Sequence, residues 1–538
     1  MKTQGIAGWA RAAAGAVLLA LAGCASTPNV EKVAADTWTE ARTPNFVVIT
    51  NAGPVRARYL AENLEDFRRL VIEATNLDIQ SNPMPFHIVA LSTGGQFRAL
   101  VDAQQIFGAF QQSYRGGLAV VNLTARAPDG TDSLEIIRTP YGPIYRAKQN
   151  SRAVGMDGVF HEYVHYLLEI DKRRRYPLWF HEGYAEYLST LQIGDDGRYR
   201  VGEPPMHRVL ALQTARWIPL GALLNARSYD TGYENGDFNA EAWLVVHYMM
   251  DDPDRRQKLY AFLDRLDRPT IDAVPVFEDV FGRSVDEVTR ALRQYQRIGH
   301  FDTTTFDRSP APLPRATLRT LAPAEADEEL AFTLLHFSRA RDRGEVLLKQ
   351  ALALDPDNLK ARALLAAVAI TDDRPGDAGA ILDAAGSKLD ESPDLLVMKA
   401  ELVLRRAIRQ VADSDSRGPA TAAEAAGLYR KALGLDPDQA QAMLGLARCA
   451  LITPGRPPDS VLDAIDHAQA LLPTNTDIAL IKAHVLLKRG QIEAAAETYE
   501  RVIAWARQPE IARQARERLA AINGAPLPLP EQPLYQLP

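Results

Sequence analysis

The sequence predicts an α+β domain followed by an all-α domain of helical repeats. Three observations predict it: strand-like runs come first and helical patterns after them, a proline-rich run interrupts the chain near residue 310, and beyond it a short motif returns and prolines recur at close to the period of a helix pair. A chain of 538 residues is about three to four times a typical domain, so more than one folding unit is expected. Its 46% hydrophobic and 24% charged residues are ordinary globular usage, which excludes a chain disordered throughout, a collagen-like repeat and a disulfide scaffold. Lys and Arg number 61 against 68 Asp and Glu, and this mild acidity removes any global electrostatic case for nucleic-acid binding.

The chain opens on a targeting pattern. Lys2 and Arg11 supply positive charge, Ala12 to Ala22 is almost unbroken apolar sequence, and Leu21-Ala22-Gly23-Cys24 follows. The run is too short to span a bilayer, which needs about 20 helical residues, and it reads as the core of a signal peptide. Leu-Ala-Gly-Cys resembles the lipobox of bacterial lipoproteins. That resemblance implies a signal peptide at 1–23 and lipidation of Cys24. With Ala25 rather than Asp after the cysteine, it implies a lipid-anchored protein of the outer membrane that faces the periplasm. Residues 24–35 read as a polar tether. Of the two cysteines only Cys449 is then left to pair, so no intramolecular disulfide is expected, and the apolar stretch Met443 to Ile452 makes it a buried small hydrophobe.

Order is expected from residue 36. Phe46-Val-Val-Ile-Thr50 is β-branched and aromatic, and it is bounded by Pro44 and Asn51-Ala-Gly, so it reads as a strand. A helix follows with Leu60, Leu64, Phe67 and Val71 on one face. Phe86 to Leu91 is a second strand, and Leu118 to Leu123, after Gly116-Gly117, a third. From Gly155 to about Ile298 the pattern is mostly helical, and Ser284 is placed to cap the last helix, which starts at Val285. Strands first and helices after describe one α+β domain at 36–308. The run Ser309-Pro-Ala-Pro-Leu-Pro-Arg315 cannot continue a helix or a central strand, so 309–325 reads as a linker.

Beyond the linker, Ala-Leu-Ala-Leu-Asp-Pro-Asp at 351–357 returns as Ala-Leu-Gly-Leu-Asp-Pro-Asp at 432–438. Prolines at 356, 393, 437 and 473 are spaced 37, 44 and 36 residues apart, with the polar stretch Asp413 to Gly418 as an insertion. This is similar to the 34-residue helix-turn-helix period of tetratricopeptide repeats. The resemblance implies stacked helix pairs over 326–523 whose concave surface takes a protein partner. Prolines at 526, 528, 530, 533 and 538 make 524–538 an extended tail.

The chemistry points to His161-Glu162-Tyr163-Val164-His165. On a helix His161 and His165 lie one turn apart on the same face, so their imidazoles can converge on one zinc ion with Glu162 beside its water. Phe160, Val164, Leu167 and Leu168 form the apolar stripe that buries such a helix. A catalytic zinc needs a third protein ligand. Glu182, in Pro177-Leu-Trp-Phe-His-Glu-Gly-Tyr-Ala-Glu-Tyr-Leu188, supplies it if this second helix packs antiparallel to the first. Glu186, four residues on, is placed to take the N–H of a ligating histidine.

These two segments resemble the gluzincin metallopeptidases, the clan of thermolysin and the zinc aminopeptidases, and most closely the "peptidase MA-like" bacterial branch. The resemblance implies an α+β zincin-like metallopeptidase domain followed by an all-α tetratricopeptide-repeat solenoid. It implies one Zn2+ per chain on His161, His165 and Glu182, with Glu162 as general base and Glu186 behind the ligands. A later Tyr or His donating to the oxyanion is also implied, for which Tyr229 and Tyr233 are candidates and His247 a third. Edge strands in this clan bind peptide by strand addition, and Gly117 to Leu123 is the candidate here. No segment like Gly-Ala-Met-Glu-Asn is present to hold a free amino end, which argues against aminopeptidase activity. The expected function is zinc-dependent hydrolysis of peptide bonds in periplasmic or membrane-associated proteins, with the repeats recruiting a partner or substrate. The alternative is a non-catalytic lipoprotein scaffold or assembly factor built on the repeats.

Overall fold

A computed structural model of the chain describes residues 29–522 apart from 76, 80–83, 102–107, 124–132, 140–141, 149–155, 172–173, 175, 194–197, 227–234, 267–270, 309–310, 339–340, 474 and 506–508. The first elements are α1 (Val30–Ala34), β1 (Thr39–Arg42), β2 (Phe46–Thr50), α2 (Pro54–Ala74), β3 (Phe86–Leu91), α3 (Gly94–Leu100), β4 (Gly108–Ser113), β5 (Gly116–Asn122), β6 (Ser133–Thr139) and β7 (Gly142–Lys148). A mainly helical stretch follows: α4 (Met156–Ile170), α5 (Leu178–Ser189), β8 (Gln192–Ile193), β9 (Arg198–Val201), α6 (Met206–Thr214), α7 (Leu220–Leu224), α8 (Asn235–Met250), α9 (Pro253–Arg265), α10 (Ala273–Phe281), α11 (Val285–Ile298) and β10 (Thr304–Asp307). After β11 (Thr317–Thr320) the chain is helical: α12 (Pro323–Phe337), α13 (Arg341–Leu354), α14 (Leu359–Thr371), α15 (Pro375–Asp383), α16 (Pro393–Ala412), α17 (Gly418–Leu435), α18 (Ala440–Ile452), α19 (Asp459–Leu471), α20 (Thr476–Lys488), α21 (Ile492–Trp505) and α22 (Pro509–Ile522).

Six strands form one sheet in the order β11-β1-β2-β3-β5-β4. The central β2, β3 and β5 run parallel, while β1, β11 and β4 pair antiparallel to their neighbours. Every residue of the Phe46–Thr50 strand is buried. Side chains alternate between faces along a strand, so an unbroken apolar run demands a cover on both. Phe46, Val48, Phe86 and Ile88 enter one core together with Leu64 and Phe67 of α2 and with Val164 and Leu167 of α4. Val47, Ile49, Val89, Leu118 and Val120 enter the other, whose further members come from α1, α3 and the helices from α12 onward.

This second core changes two boundaries. The tether expected to reach residue 35 ends earlier: Asn29 caps α1, which buries Val30, Val33 and Ala34. The linker expected at 309–325 contains β11, whose Thr317, Leu318, Arg319 and Thr320 pair with Arg42, Ala41, Glu40 and Thr39, so the chain leaves the sheet as one of its strands. The proline run stops short of that strand, which sits at the open edge where only one side needs pairing. The signal peptide, Cys24 and the tail 524–538 lie outside the described residues. Among those described, no helix is long and apolar enough to cross a membrane.

Ser284 and Glu287 close a reciprocal capping box on α11, and Gly299 ends that helix at φ 62°, a conformation that costs little only for glycine. In the helical lobe Glu241 on α8 is 4% exposed and accepts a hydrogen bond from the Ile218 N–H at 2.7 Å. Burial pushes its carboxyl up to about 8, Asp237 adding to the rise and Arg293 opposing it. The folded state therefore holds a proton that the unfolded chain releases near pH 4.5, and stability is expected to fall as pH rises from about 4.5 to 8. Melting curves of wild type and Glu241→Gln across that window check this; a slope that survives the substitution assigns it to another group.

Beyond β11 the helices form an all-α solenoid of pairs, α12/α13 through α20/α21, closed by α22. The first helices of successive pairs pack on one another from α12 to α20 and form the inner layer of the array. Pro356 and Pro437 lie in the turns that begin the next pair, and Pro393 opens α16. Cys449 is buried in α18, where burial pushes its thiol up to about 12, the behaviour of a small hydrophobe.

Candidate metal centre

Helix α4 is fixed by its apolar side. Phe160 stacks on Phe67 with centroids 4.1 Å apart, and Tyr163 meets Phe46 and Phe86 edge-on at 4.8 and 5.1 Å. Burying that stripe aims the histidines toward α5. His161 Nε2 and His165 Nε2 are 3.1 Å apart. Glu182, one turn into α5 and 4% exposed, brings Oε2 to 3.8 Å from His161 Nε2 and Oε1 to 3.6 Å from His165 Nε2. All three donor atoms lie within 4.8 Å of one another. Ligands around a tetrahedral zinc at ordinary bond lengths are about 3.3 Å apart, and two imidazoles with one carboxylate leave a fourth position open. Among the described residues, these three side chains are the ones that can hold a divalent cation.

The surroundings hold the set in place. Asn239 on α8 donates through Nδ2 to Glu182 Oε2 at 3.0 Å. Glu186, one turn after Glu182, reaches His161 Nδ1 at 3.6 Å, while Arg208 Nε donates to its Oε1 at 2.9 Å and His207 Nε2 lies 3.7 Å from Oε2. Burial alone would raise the Glu186 carboxyl, but Arg208, with help from His161 and His207, holds it down at about 2. A permanently ionised carboxylate behind His161 favours the tautomer that keeps Nε2 bare for a metal.

Glu162 is half-buried on the flank of α4 that faces β4. A Cβ at Gly108 would come within 3.0 Å of its Cγ and 3.2 Å of its Oε1, so the strand approaches this carboxylate as closely as glycine allows. Along β4, Phe110 then packs near Tyr166, and Gln112 Nε2 reaches Glu169 Oε2 at 3.4 Å, so the strand tracks the helix. The strand expected at the edge, Gly117 to Leu123, is interior, paired on both sides by β3 and β4. Among the described residues, the sheet ends on this side at β4.

The structure thus brings together His161, His165, Glu182 and Glu186, with Glu162 next to His161 on α4 and against Gly108 of β4. Tyr229 and Tyr233 lie outside the described residues. His247 is not at the site: it is fully buried, its ring nitrogens lie 2.7 Å from Gly202 O and 2.8 Å from Tyr295 Oη, and burial lowers its pKa. Arg174 is buried and donates through Nη2 to Asp264 at 3.0 Å. Sequence reading missed Asn239, His207 and Arg208. Asn239 is one of several polar residues of α8, beside Glu241 and His247 in the mostly apolar run Phe238 to Met250, and nothing local sets it apart; His207 and Arg208 follow Pro204-Pro205 with no pattern that marks them.

No protein-family profile matches the sequence, and no curated protein is similar to it. Solved structures similar to it include a thermophilic TPR protein of Thermus thermophilus, at 19% identity over 37% of this chain and 98% of that one, with a TM-score of 0.31. YrrB, a TPR protein, is 17% identical over 36% of this chain and 91% of its own, with a TM-score of 0.24. Yeast Tom70 is 15% identical over 57% of this chain and 63% of its own, with a TM-score of 0.28. At such scores the solenoid stands on the chain's own helix pairing.

Proposed function

We propose that this protein is a zinc-dependent metallopeptidase of gluzincin type, lipid-anchored at Cys24 and facing the periplasm, which hydrolyses peptide bonds of periplasmic or membrane-associated proteins. The observation that carries it is the convergence of His161, His165 and Glu182 with Glu162 beside an open-edged strand. A zinc ion held by those three would supply Lewis-acid polarisation of a peptide carbonyl and acidify water. The β4 edge offers backbone groups to an extended peptide, whose scissile bond would lie near Gly108. Glu162 takes the proton of the attacking water and passes it to the leaving amine. Glu186 and Arg208 hold His161 in place, and Tyr229 or Tyr233 would donate to the oxyanion. The test is hydrolysis of an unfolded protein by the zinc-loaded chain, with Glu162→Gln as its partner; bound zinc with no cleavage of any peptide library removes the enzyme reading.

A second reading, a scaffold or assembly factor of tetratricopeptide type, is favoured by the solenoid itself, which occupies the chain from α12 to α22. Complementation separates the two, because a scaffold is fully rescued by the Glu162→Gln chain. Gly108→Ala adds a finer check. The three atoms nearest its Cβ would all belong to Glu162, so hydrolysis should fall about tenfold with zinc content unchanged. Unchanged turnover would show that Glu162 does not act from where it packs against β4.

A further inference from the structure

The β4–β5 turn does not end in solvent. Its two residues, Tyr114 and Arg115, sit between the paired Ser113 and Gly116; Ser113 Oγ donates to Gly116 O at 2.8 Å and accepts from the Arg115 N–H at 3.1 Å, and Gly116 takes φ 104°. Tyr114, 7% exposed, belongs to the apolar cluster of Ala440, Met443 and Leu444 on α18. Arg115 donates to Glu328 of α12 at 3.0 Å, with Glu328 only 4% exposed, and its guanidinium lies 4.3 Å from the centre of the Phe332 ring. Glu329 and, from α16, Asp394 add negative charge around it. The turn thus engages the first helices of separate repeat pairs, which make up the inner layer of the solenoid.

A planar cation paired with a buried carboxylate and stacked on an aromatic ring, beside an apolar anchor, is how a groove recognises a ligand. Strand β4 is joined to its sheet by β5 on one side only and rests on α4 through Phe110 and Gln112, so where its turn is held bears on its placement. We propose that the solenoid takes the protein's own β4–β5 turn as its ligand and thereby sets the register of β4 against α4, making Tyr114 and Arg115 positioning residues for a peptide laid along β4. The anchoring is independent of catalysis; the effect on substrate rests on the peptidase reading.

The test uses the full zinc-loaded chain, Arg115→Ala, Arg115→Lys and, as a control within the repeats, Arg374→Ala, which removes a pair with Glu345 in which neither turn residue takes part. Hydrogen exchange of residues 108–113, which needs no substrate, should quicken about tenfold in Arg115→Ala and stay unchanged in Arg374→Ala. On a peptide substrate, KM should rise about tenfold with kcat within twofold. Exchange equal to wild type overturns the anchoring, and faster exchange with an unchanged KM overturns the positioning role. If Arg115→Ala does not fold, Arg115→Lys decides: it keeps the charge but not the planar stack, so exchange about threefold faster supports the proposal and equality with wild type overturns it. A wild type that binds zinc but cleaves nothing sinks the peptidase reading alone, because the exchange result still stands.

Discussion

Glu162→Gln is expected to lower peptide hydrolysis by about 10³-fold, with kcat and kcat/KM falling together and zinc content unchanged. The reasoning is local. Glutamine has the shape of glutamate, so the contact with Gly108 survives, and the side chain is only half-buried, so stability should move by less than about 0.5 kcal/mol. What disappears is a carboxylate able to accept and return a proton where α4 meets the β4 edge at Gly108. Zinc is unaffected because its holders are His161, His165 and Glu182, whose positions depend on the aromatic packing of Phe160 and Tyr163 and on the α4–α5 crossing. Steady-state kinetics beside metal analysis of the same preparations provides the check. A residual rate within tenfold of wild type would mean that another group moves the proton, and a loss of zinc would mean that Glu162 is a ligand.

How much of this was legible follows from the range over which each feature is decided. The ligand set was readable because helical periodicity alone puts His161 over His165 and Glu182 over Glu186; only the crossing of two adjacent helices had to be assumed. The paired boundaries were misread for one reason. Phe46-Val-Val-Ile was recognised as a strand, but its lack of alternation already says that both sheet faces are covered, and the second cover, begun by α1 and α3, is completed by α12 and helices beyond, more than 270 residues later. With that cover the stretch 309–325 cannot be a free linker, and α1 gains a surface to pack on. The edge was assigned to Gly117–Leu123 because β4, Gly-Ala-Phe-Gln-Gln-Ser, has little strand propensity; it is a strand because β5 pairs with it and α4 supports it. The support of Glu186 by Arg208 depends on where α6 lands, which no local pattern encodes.

Gly183→Ala carries the other large effect, and here two opposing terms have to be weighed. In an isolated helix the substitution stabilises by about 1 kcal/mol. In this one the new Cβ would lie 2.6 Å from the Ala242 carbonyl carbon and 2.7 Å from Val246 Cγ2, and a backbone atom cannot move aside as the end of a flexible side chain can. Overpacking of this kind costs about 3 kcal/mol or more, so the clash wins and the melting temperature should fall by several degrees. The loss does not stop at stability. Relieving the clash means moving α5 away from α8, and Glu182 and Asn239, joined at 3.0 Å, sit on the two helices being separated. Zinc affinity should therefore drop by about 10- to 100-fold, the size expected when a group that orients a ligand is lost. Gly427→Ala is the control: it lies exposed within α17 with nothing inside 4 Å of the added carbon, so only the helix-propensity term remains and the protein should gain about 0.5–1 kcal/mol. Calorimetry and zinc titration of both variants make the comparison. A Gly183→Ala protein that melts with wild type and keeps its zinc affinity would show that the α5–α8 contact is not what places Glu182, and the third ligand would have to be held by α4 alone.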